Sequence, residues 1–332
     1  MQNSPPEIRL ALPSKGRLAE DALNLLTHAG LRVHKPNPRQ LIAHIPDLPG
    51  VSVLFQRAGD IVVSVRDGSV DFGITGGDVV AEKRGPNGDV LTLLDDLEFG
   101  RCALHVIVPE AWSHVTKMRD LAEAARGHRL RVATKFPNLT TQFLADHGLP
   151  DITLIPAEGT LEVAPTIGYA DFIVDLVSSG TTIRDNRLKT LDDSLIFESQ
   201  AWLIANQRAL KTRPEVIQTA RILIETIVAY QRAAENVLVI ANMRGENPDS
   251  VAQKILTQTV IGGLQGPTIA PVFTRDSARW FSVSIVVRKT SLAQAIGELR
   301  AIGGSGVIVT PVTYIFEEEP EAYRRMLEAL EK

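Results

Sequence analysis

The stretch "DFIVDLVSSGTTIRDN", from Asp171 to Asn186, runs from a β-rich hydrophobic segment directly into small residues, four of them hydroxylated and one a glycine. A strand that ends in a glycine-containing turn and opens a helix gathers several free backbone N–H groups around one point. The serine and threonine hydroxyl groups add further donors. The pattern therefore predicts a phosphate-binding turn, and an ordinary capped turn without a ligand fits the same residues.

Asp175 ends the predicted strand immediately before this turn. A bare phosphate disfavours a neighbouring carboxylate, whereas a phosphorylated sugar does not, because the carboxylate accepts hydrogen bonds from ribose hydroxyl groups while the turn holds the 5′-phosphate. Neither G-x-x-x-x-G-K-[ST] nor G-x-G-x-x-G occurs there. The combination indicates a site for phosphoribosyl pyrophosphate.

The chain has 332 residues and a formal net charge of -4. Without a basic tail or a Lys/Arg run, we expect no nucleic-acid and no membrane partner. The single cysteine, Cys102, excludes an intramolecular disulfide and a cysteine-rich metal site. No segment has the pattern of a signal peptide, and no window approaches 18 uninterrupted apolar residues, so we expect a cytoplasmic protein.

Strand and helix patterns alternate over most of the chain, which predicts an α/β architecture with largely parallel sheets. Ile8–Pro13 predicts a buried strand and is followed by helical spacing up to Gly30. The layout returns at 130–148, where strand "LRVATK" precedes a helix with Asn138 as the predicted N-cap. Ser14-Lys15 and Thr134-Lys135 therefore lie at equivalent strand-to-helix junctions.

A second repeated pattern occurs in "GSVDFGITGGDVV" (68–80) and "GYADFIVDLVSSG" (168–180), which share the frame Gly-x-small-Asp-Phe before a strand. Spacings of roughly 100 to 120 residues predict two similar α/β lobes, although strand exits of α/β folds favour such residues in any case. Two long strand patterns, Cys102–Pro109 and Ser194–Asn206, lie where the chain would cross between the lobes. We expect these to form the hinge, with the ligand in the cleft between the lobes.

The C-terminal third differs from the rest. A long amphipathic helix covers residues 213–235, and the patterns beyond it follow the order βαββαβ, which predicts a ferredoxin-like domain. That segment has no histidine and no cysteine. We therefore expect catalysis in the two lobes.

The stretch Glu162–Ile183 resembles the signature of the ATP phosphoribosyltransferase family, the first enzymes of histidine biosynthesis. Five further blocks resemble the family in the same order: "LALPSKGRL" (10–18), "DFGITGGD" (71–78), "FGRC" (99–102), "RVATKFPNLT" (131–140) and "GLQGPTIAP" (262–271). The resemblance implies the long form of the family, with two periplasmic-binding-protein-like (type II) lobes and a C-terminal ACT-like regulatory domain. The implied ranges are 1–103 with 195–225 for lobe I, 104–194 for lobe II and 235–332 for the regulatory domain.

The resemblance implies transfer of the phosphoribosyl group to N1 of the adenine of ATP, with release of pyrophosphate. Preorganised charge and positioning would then carry the catalysis. It implies catalytic roles for Asp175, Lys15 and Arg17. Phosphoribosyl pyrophosphate would bind to Asp175, Val177, Ser178, Ser179, Gly180, Thr181 and Thr182. ATP and pyrophosphate would meet Arg57, Gly76, Asp78, Arg101, Lys135 and Glu162.

For two of these residues a structural role fits equally: Asp78 caps the next helix in a tight turn, and Glu162 caps "VAPTIG". Mg²⁺ is the expected cofactor, carried mainly by phosphate oxygens and water without a protein metal site. Free histidine is the expected inhibitor, bound near Leu264, Thr268 and Gly306 between subunits of a homo-oligomer, a dimer or hexamer, with no separate regulatory subunit. A non-catalytic two-lobed binding module and a phosphoribosyltransferase for another base are the alternatives.

Three segments depart from the family pattern, one of them "DIVVSV" (60–65), which lacks the proline usual after Asp-Ile. The family often has glycine where this chain has Glu98, and often "GSVE" where this chain has "GTLE", at 159–162. We expect these changes to alter local loop geometry without touching the phosphate-binding turn.

Overall fold

Strands and helices alternate along the chain in the computed structural model, which describes residues 7–37, 39–157, 159–275 and 279–331. The strands are β1 (Ile8–Pro13), β2 (Ile42–His44), β3 (Val51–Gln56), β4 (Phe72–Gly76), β5 (Val90–Leu94), β6 (Cys102–Pro109), β7 (Arg131–Thr134), β8 (Thr153–Pro156), β9 (Phe172–Val177), β10 (Leu188–Ser199), β11 (Ala201–Asn206), β12 (Asn236–Arg244), β13 (Thr268–Val272), β14 (Trp280–Arg288) and β15 (Ser305–Pro311).

The helices are α1 (Arg17–His28), α2 (Ala58–Arg66), α3 (Gly77–Lys83), α4 (Met118–Ala124), α5 (Pro137–Asp146), α6 (Thr181–Asp185), α7 (Gln207–Thr212), α8 (Pro214–Ala234), α9 (Pro248–Leu256), α10 (Leu292–Ala301) and α11 (Glu321–Glu331). The chain divides into two compact units. One comprises the chain up to Arg221 together with the segment from Ala322 onward, and the other is Ile222–Glu321. The range 235–332 inferred from the sequence for the regulatory domain includes α11, most of which groups with the first unit.

The first unit contains a six-stranded sheet in the order β2-β3-β1-β4-β11-β5. β1 pairs in parallel with β3 and β4, whereas β11 is antiparallel to both of its neighbours. Leu10, Ala11 and Leu12 in β1 are all fully buried. A continuous apolar run of this kind is typical of a strand covered on both faces of a parallel sheet.

A five-stranded sheet in the order β10-β6-β9-β7-β8 completes the first unit. β7 is parallel to β8 and β9, and β6 is antiparallel to β9 and β10, so the prediction of largely parallel sheets holds only for part of each sheet. Leu104, Val132 and Phe172 are fully buried in its core, on which α5 packs through Leu144.

The same local arrangement occurs in both sheets. The Asp71 carboxylate accepts the Arg9 backbone N–H at 2.9 Å, and the Asp171 carboxylate accepts the Arg131 N–H at 2.7 Å. In return Asp71 N–H donates to Arg9 O and Asp171 N–H to Arg131 O, at 3.0 and 2.9 Å. The shared Asp-Phe frame therefore has a structural cause, since each aspartate joins the start of its own strand to the neighbouring parallel strand.

The chain crosses between the sheets twice, between β5 and β6 and again at Gln200. The prediction of one strand over Ser194–Asn206 is wrong, because Ser199 pairs with Cys102 in the five-stranded sheet while Ala201 pairs with Gly76 in the six-stranded sheet. Gln200 stays hydrogen-bonded at the crossing, since its carbonyl accepts the Gly77 N–H at 2.8 Å. Both predicted hinge segments do lie at the crossings.

The second unit contains a four-stranded antiparallel sheet in the order β13-β14-β12-β15. With α9 and α10 the element order is βαββαβ, as predicted. Val239, Val283 and Leu299 belong to its buried core. α8, which leads into this unit, spans Pro214–Ala234 and confirms the predicted long helix.

Candidate active site

A cleft of about 750 Å³ lies between the two sheets of the first unit. The ends of β1, β3, β7 and β8 and the first turns of α2 and α5 form its walls, together with α3. Its lining residues are Pro13, Ser14, Lys15, Leu18, Gln56, Arg57, Ala58, Gly59, Asp60, Val79, Glu82, Lys83, Thr134, Lys135, Phe136, Pro137, Asn138, Pro156 and Ala157. Both strand-to-helix junctions with a Ser/Thr-Lys pair, Ser14-Lys15 and Thr134-Lys135, therefore line one cleft.

Three of the predicted cations, Lys15, Arg57 and Lys135, line this cleft. Sequence reasoning missed a fourth, Lys83, whose Nζ lies 2.7 Å from where a Cβ on Gly59 would stand. Its only sequence signal is its place at the end of the helix that follows the "DFGITGGD" block. Four cationic side chains along one cleft favour a polyanionic ligand.

Two other predicted cations are placed differently. Arg17 is in the first turn of α1, and its side chain is 93% exposed and ion-paired with Asp21 at 3.6 Å. Arg101 lines a second cavity of about 640 Å³, together with Cys102, Ser178 and Ser199. The two arginines do not line the large cleft.

Asp175 lies in a partly buried position of β9, two residues before the end of the strand at Val177 and not at its end as predicted. Burial raises the pKa of its carboxyl group, which the nearby Lys135 partly offsets and the nearby Glu162 reinforces. Its Oδ1 accepts the Leu176 N–H at 2.8 Å. Asp175, Lys135 and Glu162 are therefore close enough to interact electrostatically, although their sequence positions span 41 residues.

The predicted phosphate-binding turn connects β9 to the five-residue helix α6. Gly180 has a φ of 72°, in the left-handed region, and no heavy atom lies within 4 Å of a Cβ placed there. Ser179 Oγ and Thr181 Oγ1 lie 3.1 Å apart, and the side chains of Ser178, Ser179, Thr181 and Thr182 are exposed. The turn thus presents a cluster of hydroxyl groups beside a backbone that a side chain would strain.

The glycine-rich end of β4 is tightly packed. A Cβ on Gly77 would stand 2.5 Å from the Trp202 ring, and one on Gly76 would stand 2.3 Å from Asp78 Oδ1. Asp78 is 4% exposed and accepts a 2.6 Å hydrogen bond from Ser199. Burial raises the pKa of Asp78 despite that bond. Packing explains why both positions are glycine. Because α3 begins at Gly77, Asp78 lies inside its first turn and is not its N-cap, contrary to the structural role considered from the sequence.

Cys102 lies at the start of β6 beside this cluster. Burial, with the Asp78 charge as a smaller cause, raises the pKa of its thiol to about 11. A thiol with such a pKa stays protonated at neutral pH and is a poor nucleophile.

α5 begins differently from the prediction. Phe136 is its N-cap residue and Pro137 opens the helix, so Asn138 lies inside the first turn and is not the N-cap. The N–H groups of Asn138 and Leu139 instead donate to the Glu82 carboxylate, at 2.9 and 3.0 Å. Sequence reasoning missed Glu82, because a carboxylate that caps a helix 55 residues away leaves no local pattern.

Two of the three departures from the family pattern have unusual backbone geometry. Glu98 has a φ of 64° and Thr160 a φ of 48°, both in the left-handed region. Thr160 precedes a short 3₁₀ turn, Leu161–Val163, that carries Glu162. A glycine at position 98 would adopt that φ without strain, which explains why the family often has one there.

The predicted effector residues are in the second unit. Leu264 is 46% exposed, Thr268 begins β13, and Gly306 lies in β15. β13 and β15 are the two edges of the four-stranded sheet, with two strands between them, so Thr268 and Gly306 lie roughly 14 Å apart across it. Within one chain the sheet does not bring these residues together.

The described residues contain no group of three or more His, Cys, Asp or Glu side chains placed to hold a metal ion. In the same ranges, no helix is long and apolar enough to span a membrane.

The fold and the cleft define an α/β protein whose first unit has two sheets and a cationic ligand cleft between them. The family model for ATP phosphoribosyltransferase matches residues 57–228, and the model for the HisG C-terminal domain matches residues 233–314. The chain belongs to the ATP phosphoribosyltransferase family. It is a transferase that joins N1 of the adenine of ATP to C1 of phosphoribosyl pyrophosphate, the first step of L-histidine biosynthesis.

The relatives cover nearly the whole chain. "ATP phosphoribosyltransferase 2, chloroplastic" of Arabidopsis thaliana is 41% identical over 98% of this chain and 81% of its own length. The enzyme of Methanothermobacter thermautotrophicus is 34% identical over 93% of this chain and 99% of its own. The ATP phosphoribosyl transferase (HisG:HisZ) complex of Thermotoga maritima contains a similar chain, with a TM-score of 0.53 and 26% identity over 67% of this chain and 98% of that one.

Proposed function

We propose that phosphoribosyl pyrophosphate binds at the turn after β9. Asp175 would accept hydrogen bonds from the ribose hydroxyl groups, and the turn would hold the 5′-phosphate through backbone N–H groups and hydroxyl groups. The ligand-facing residues of the turn would be Val177, Ser178, Ser179, Gly180, Thr181 and Thr182. The observation that carries this proposal is the partly buried Asp175 carboxylate, three residues before the first of the exposed hydroxyl groups, together with the left-handed Gly180.

The cationic cleft supports a role in stabilising the leaving group. Adenine N1 has a free lone pair and needs no base to activate it, so the barrier lies in breaking the bond between ribose C1 and pyrophosphate. Negative charge then grows on the pyrophosphate and positive charge on the sugar. Lys15 and Lys135, with Arg57, would stabilise the leaving pyrophosphate or the triphosphate of ATP through fixed charges.

The remaining predicted contacts are part of the same proposal. Arg17 and Arg101 are not in the lining of the cleft and would have to reach the substrates from its edge or from the second cavity. Gly76 and Asp78 would contribute through the position of α3, since Asp78 already binds Ser199. Glu162 would act beside Asp175, with which it interacts electrostatically.

Mg²⁺ is the proposed cofactor, in keeping with the family. The oxygen donors near the turn include the Asp175 carboxylate, with Glu162 beside it, and neutral hydroxyl groups. Among the described residues no three His, Cys, Asp or Glu side chains come together, which suits an ion that arrives bound to pyrophosphate oxygens and water. When bound, it would neutralise part of the pyrophosphate charge. The protein side chains would bind and orient the phosphates around it.

We propose the two sheets of the first unit as periplasmic-binding-protein-like lobes, and the second unit as a ferredoxin-like, ACT-like regulatory domain. The two crossings between the sheets support the two lobes. The ranges inferred from the sequence, 1–103 with 195–225 and 104–194, shift slightly, because residues 102–103 and 195–199 belong to the five-stranded sheet. The strand order β13-β14-β12-β15 supports the ferredoxin-like arrangement. The half-buried lone cysteine suits a reducing compartment such as the cytoplasm.

Histidine inhibition through the second unit is part of the proposal. The Thermotoga maritima chain, whose title names a HisG:HisZ complex, matches only 67% of this chain, and the HisG C-terminal domain model matches residues 233–314. This chain would therefore regulate itself without a separate subunit. Because Thr268 and Gly306 lie on opposite sheet edges, a histidine site that uses both requires two copies of the chain, as in a homo-oligomer.

The site is tested with ATP, phosphoribosyl pyrophosphate and Mg²⁺, by following the absorbance of the modified adenine. Asp175→Asn should lower kcat/KM for phosphoribosyl pyrophosphate by roughly a hundredfold or more, as for other groups that position a substrate. Gly180→Val should abolish binding of the 5′-phosphate, because valine disfavours a φ of 72° and puts a side chain into the turn. Full activity in both variants would mean that the substrate binds elsewhere.

A further inference from the structure

Glu82 links the two halves of the cleft. It lies near the end of α3, which packs on the core of the six-stranded sheet through Val80. Its two carboxylate oxygens accept the N–H groups of Asn138 and Leu139 in the first turn of α5, at 2.9 and 3.0 Å. The Asn138 side chain in turn donates to the Glu82 carbonyl at 3.1 Å. α5 packs on the core of the other sheet, so three hydrogen bonds join the halves at this point.

The contact is buried and chemically specific. Glu82 is only 6% exposed, and a buried carboxylate is stable only when its oxygens are hydrogen-bonded. The first turn of a helix supplies unpaired N–H groups and a partial positive charge, which suit a carboxylate. Glu82 therefore has a strong preference for this one arrangement of α3 against α5.

The other end of α3 is also bonded to the half of the cleft that contains α5 and the five-stranded sheet. Asp78 accepts a hydrogen bond from Ser199 at the end of β10, and the Asp78 N–H donates to the Ser199 hydroxyl group at 2.9 Å. α3 has seven residues and is roughly 10 Å long. Bonded at both ends, it acts as a short strut between the sheets.

Two cationic side chains of the cleft lie next to the segments that α3 joins. Lys83 directly follows Glu82, and Lys135 comes three residues before Asn138, so both lysines lie next to the joined segments in the lining of the cleft. We propose that Glu82 is a positioning residue for phosphoribosyl transfer: its carboxylate fixes α5 against α3 and thereby holds Lys135 at its working distance from the cations of the other half.

The same carboxylate determines where a phosphate can bind. α5 is a ten-residue helix whose first residues, Pro137 and Asn138, line the cleft, and Glu82 occupies two N–H groups of its first turn. A substrate phosphate is therefore excluded from this end of α5, and the turn at Gly180 remains available for it.

The proposal is tested by removing the carboxylate and supplying another. Glu82→Ala should lower kcat/KM for the two-substrate reaction by roughly a hundredfold, the loss expected for a misplacement of about 1 Å. Formate is small enough to fill the space and accept the same two N–H groups, so it should restore activity at least tenfold, whereas chloride at equal ionic strength should not. An unchanged kcat/KM, or a loss that formate does not reverse, would overturn the proposal.

Asp120→Ala is the matched control. Asp120 also accepts two backbone N–H groups at a helix start, those of Thr116 and Lys117, both at 3.0 Å, but all three residues lie within one half. This variant should lose stability, keep its kcat/KM and show no response to formate. If Glu82→Ala yields no folded protein, Glu82→Gln is compared with Asp120→Asn. A clearly larger fall in kcat/KM for Glu82→Gln supports the proposal, and equal falls overturn it.

Discussion

Asp175 combines its proposed role in substrate binding with an electrostatically unfavourable, partly buried position. Because burial raises its pKa, the folded protein favours the protonated carboxyl group, and the ionised form destabilises the fold at neutral pH. Asp175→Asn removes that charge and can still accept the Leu176 N–H. The variant should therefore have a higher Tm than the wild type while it loses activity, which differential scanning calorimetry checks. A lower Tm would show that the carboxylate has a stabilising partner in the folded protein.

The raised pKa of Asp175 also predicts a pH dependence. The proposed role requires the ionised carboxylate as hydrogen-bond acceptor, so affinity for phosphoribosyl pyrophosphate falls as the pH drops through the raised pKa. This loss should begin at a higher pH than the ordinary aspartate pKa of 3.8 would give. Isothermal titration calorimetry across pH values measures it. In Asp175→Asn, the affinity should change with pH only through the titration of the ligand. If affinity falls in the same way at low pH in both proteins, the proposed role of Asp175 is contradicted.

Glu98 adopts a conformation that favours glycine, with a φ of 64°. Left-handed backbone costs a non-glycine residue roughly 1–2 kcal/mol, part of which the greater unfolded-state entropy of glycine offsets. Glu98→Gly should therefore raise the free energy of unfolding by up to about 1 kcal/mol, measured by urea denaturation. Glu123→Gly, inside α4, is the control and should lower it by about 1 kcal/mol. A lower free energy of unfolding for Glu98→Gly would show that the glutamate side chain stabilises the fold by more than its left-handed backbone costs.

At the scale of single elements, α3 depends on the packing at its first residue. A methyl group on Gly77 would approach the Trp202 ring to 2.5 Å, so Gly77→Ala should destabilise the first unit by about 1–3 kcal/mol. Since α3 carries both Asp78 and Glu82, kcat/KM should fall as well. Gly297→Ala in α10 has open space around the new methyl group and should stabilise by about 0.5–1 kcal/mol. Calorimetry should show a lower Tm for Gly77→Ala and a higher Tm for Gly297→Ala. An unchanged Tm for Gly77→Ala would mean that the Trp202 ring moves to make room for the methyl group.

Local patterns determined which elements could be predicted. β1 was predicted with its observed bounds, and α1 closely, because a short apolar run and a 3.6-residue period are readable in sequence. The division between β10 and β11 was missed, since Gln200 changes sheets without a proline or glycine to mark it. The tight packing at Gly77 could not be predicted, because the Trp202 ring beside it is 125 residues away in sequence.

In the candidate site too, residues that are close in sequence could be predicted, and those brought together from distant segments could not. The turn after β9 is contiguous in sequence, so its small residues and Asp175 could be assigned together. The cleft combines Lys15, Lys83 and Lys135 from distant segments, and Lys83 had no motif of its own. Long-range contacts such as that of Glu82 with α5 depend on the folded arrangement of both sheets, which no local pattern contains.

At the scale of the whole molecule, regulation and catalysis are proposed for different units. Leu264→Ala and Thr268→Ala should raise the histidine concentration for half-inhibition by roughly tenfold, which corresponds to about 1.4 kcal/mol, and leave the uninhibited rate unchanged. Leu256→Ala, another exposed leucine of the same unit, should leave inhibition unchanged. Inhibition that is equal in all these variants would place the effector site elsewhere.

Point variants test regulation better than truncation after about residue 235. Such a truncation would also remove α11, whose Tyr323 and Met326 side chains are buried and which groups with the first unit from Ala322 onward. Loss of activity in the shortened chain would then reflect the missing helix. Inhibition in the full-length variants is free of that effect.

The position of β11 sets the order in which the first unit can fold during synthesis. In the six-stranded sheet β11 lies between β4 and β5, although the ribosome makes it after every strand of the five-stranded sheet. Until residues 201–206 emerge, β4 and β5 lack the strand that joins them and present open edges, which are prone to aggregation. The five-stranded sheet has all its strands by Ser199. The half of the enzyme that is synthesised first therefore completes its sheet last.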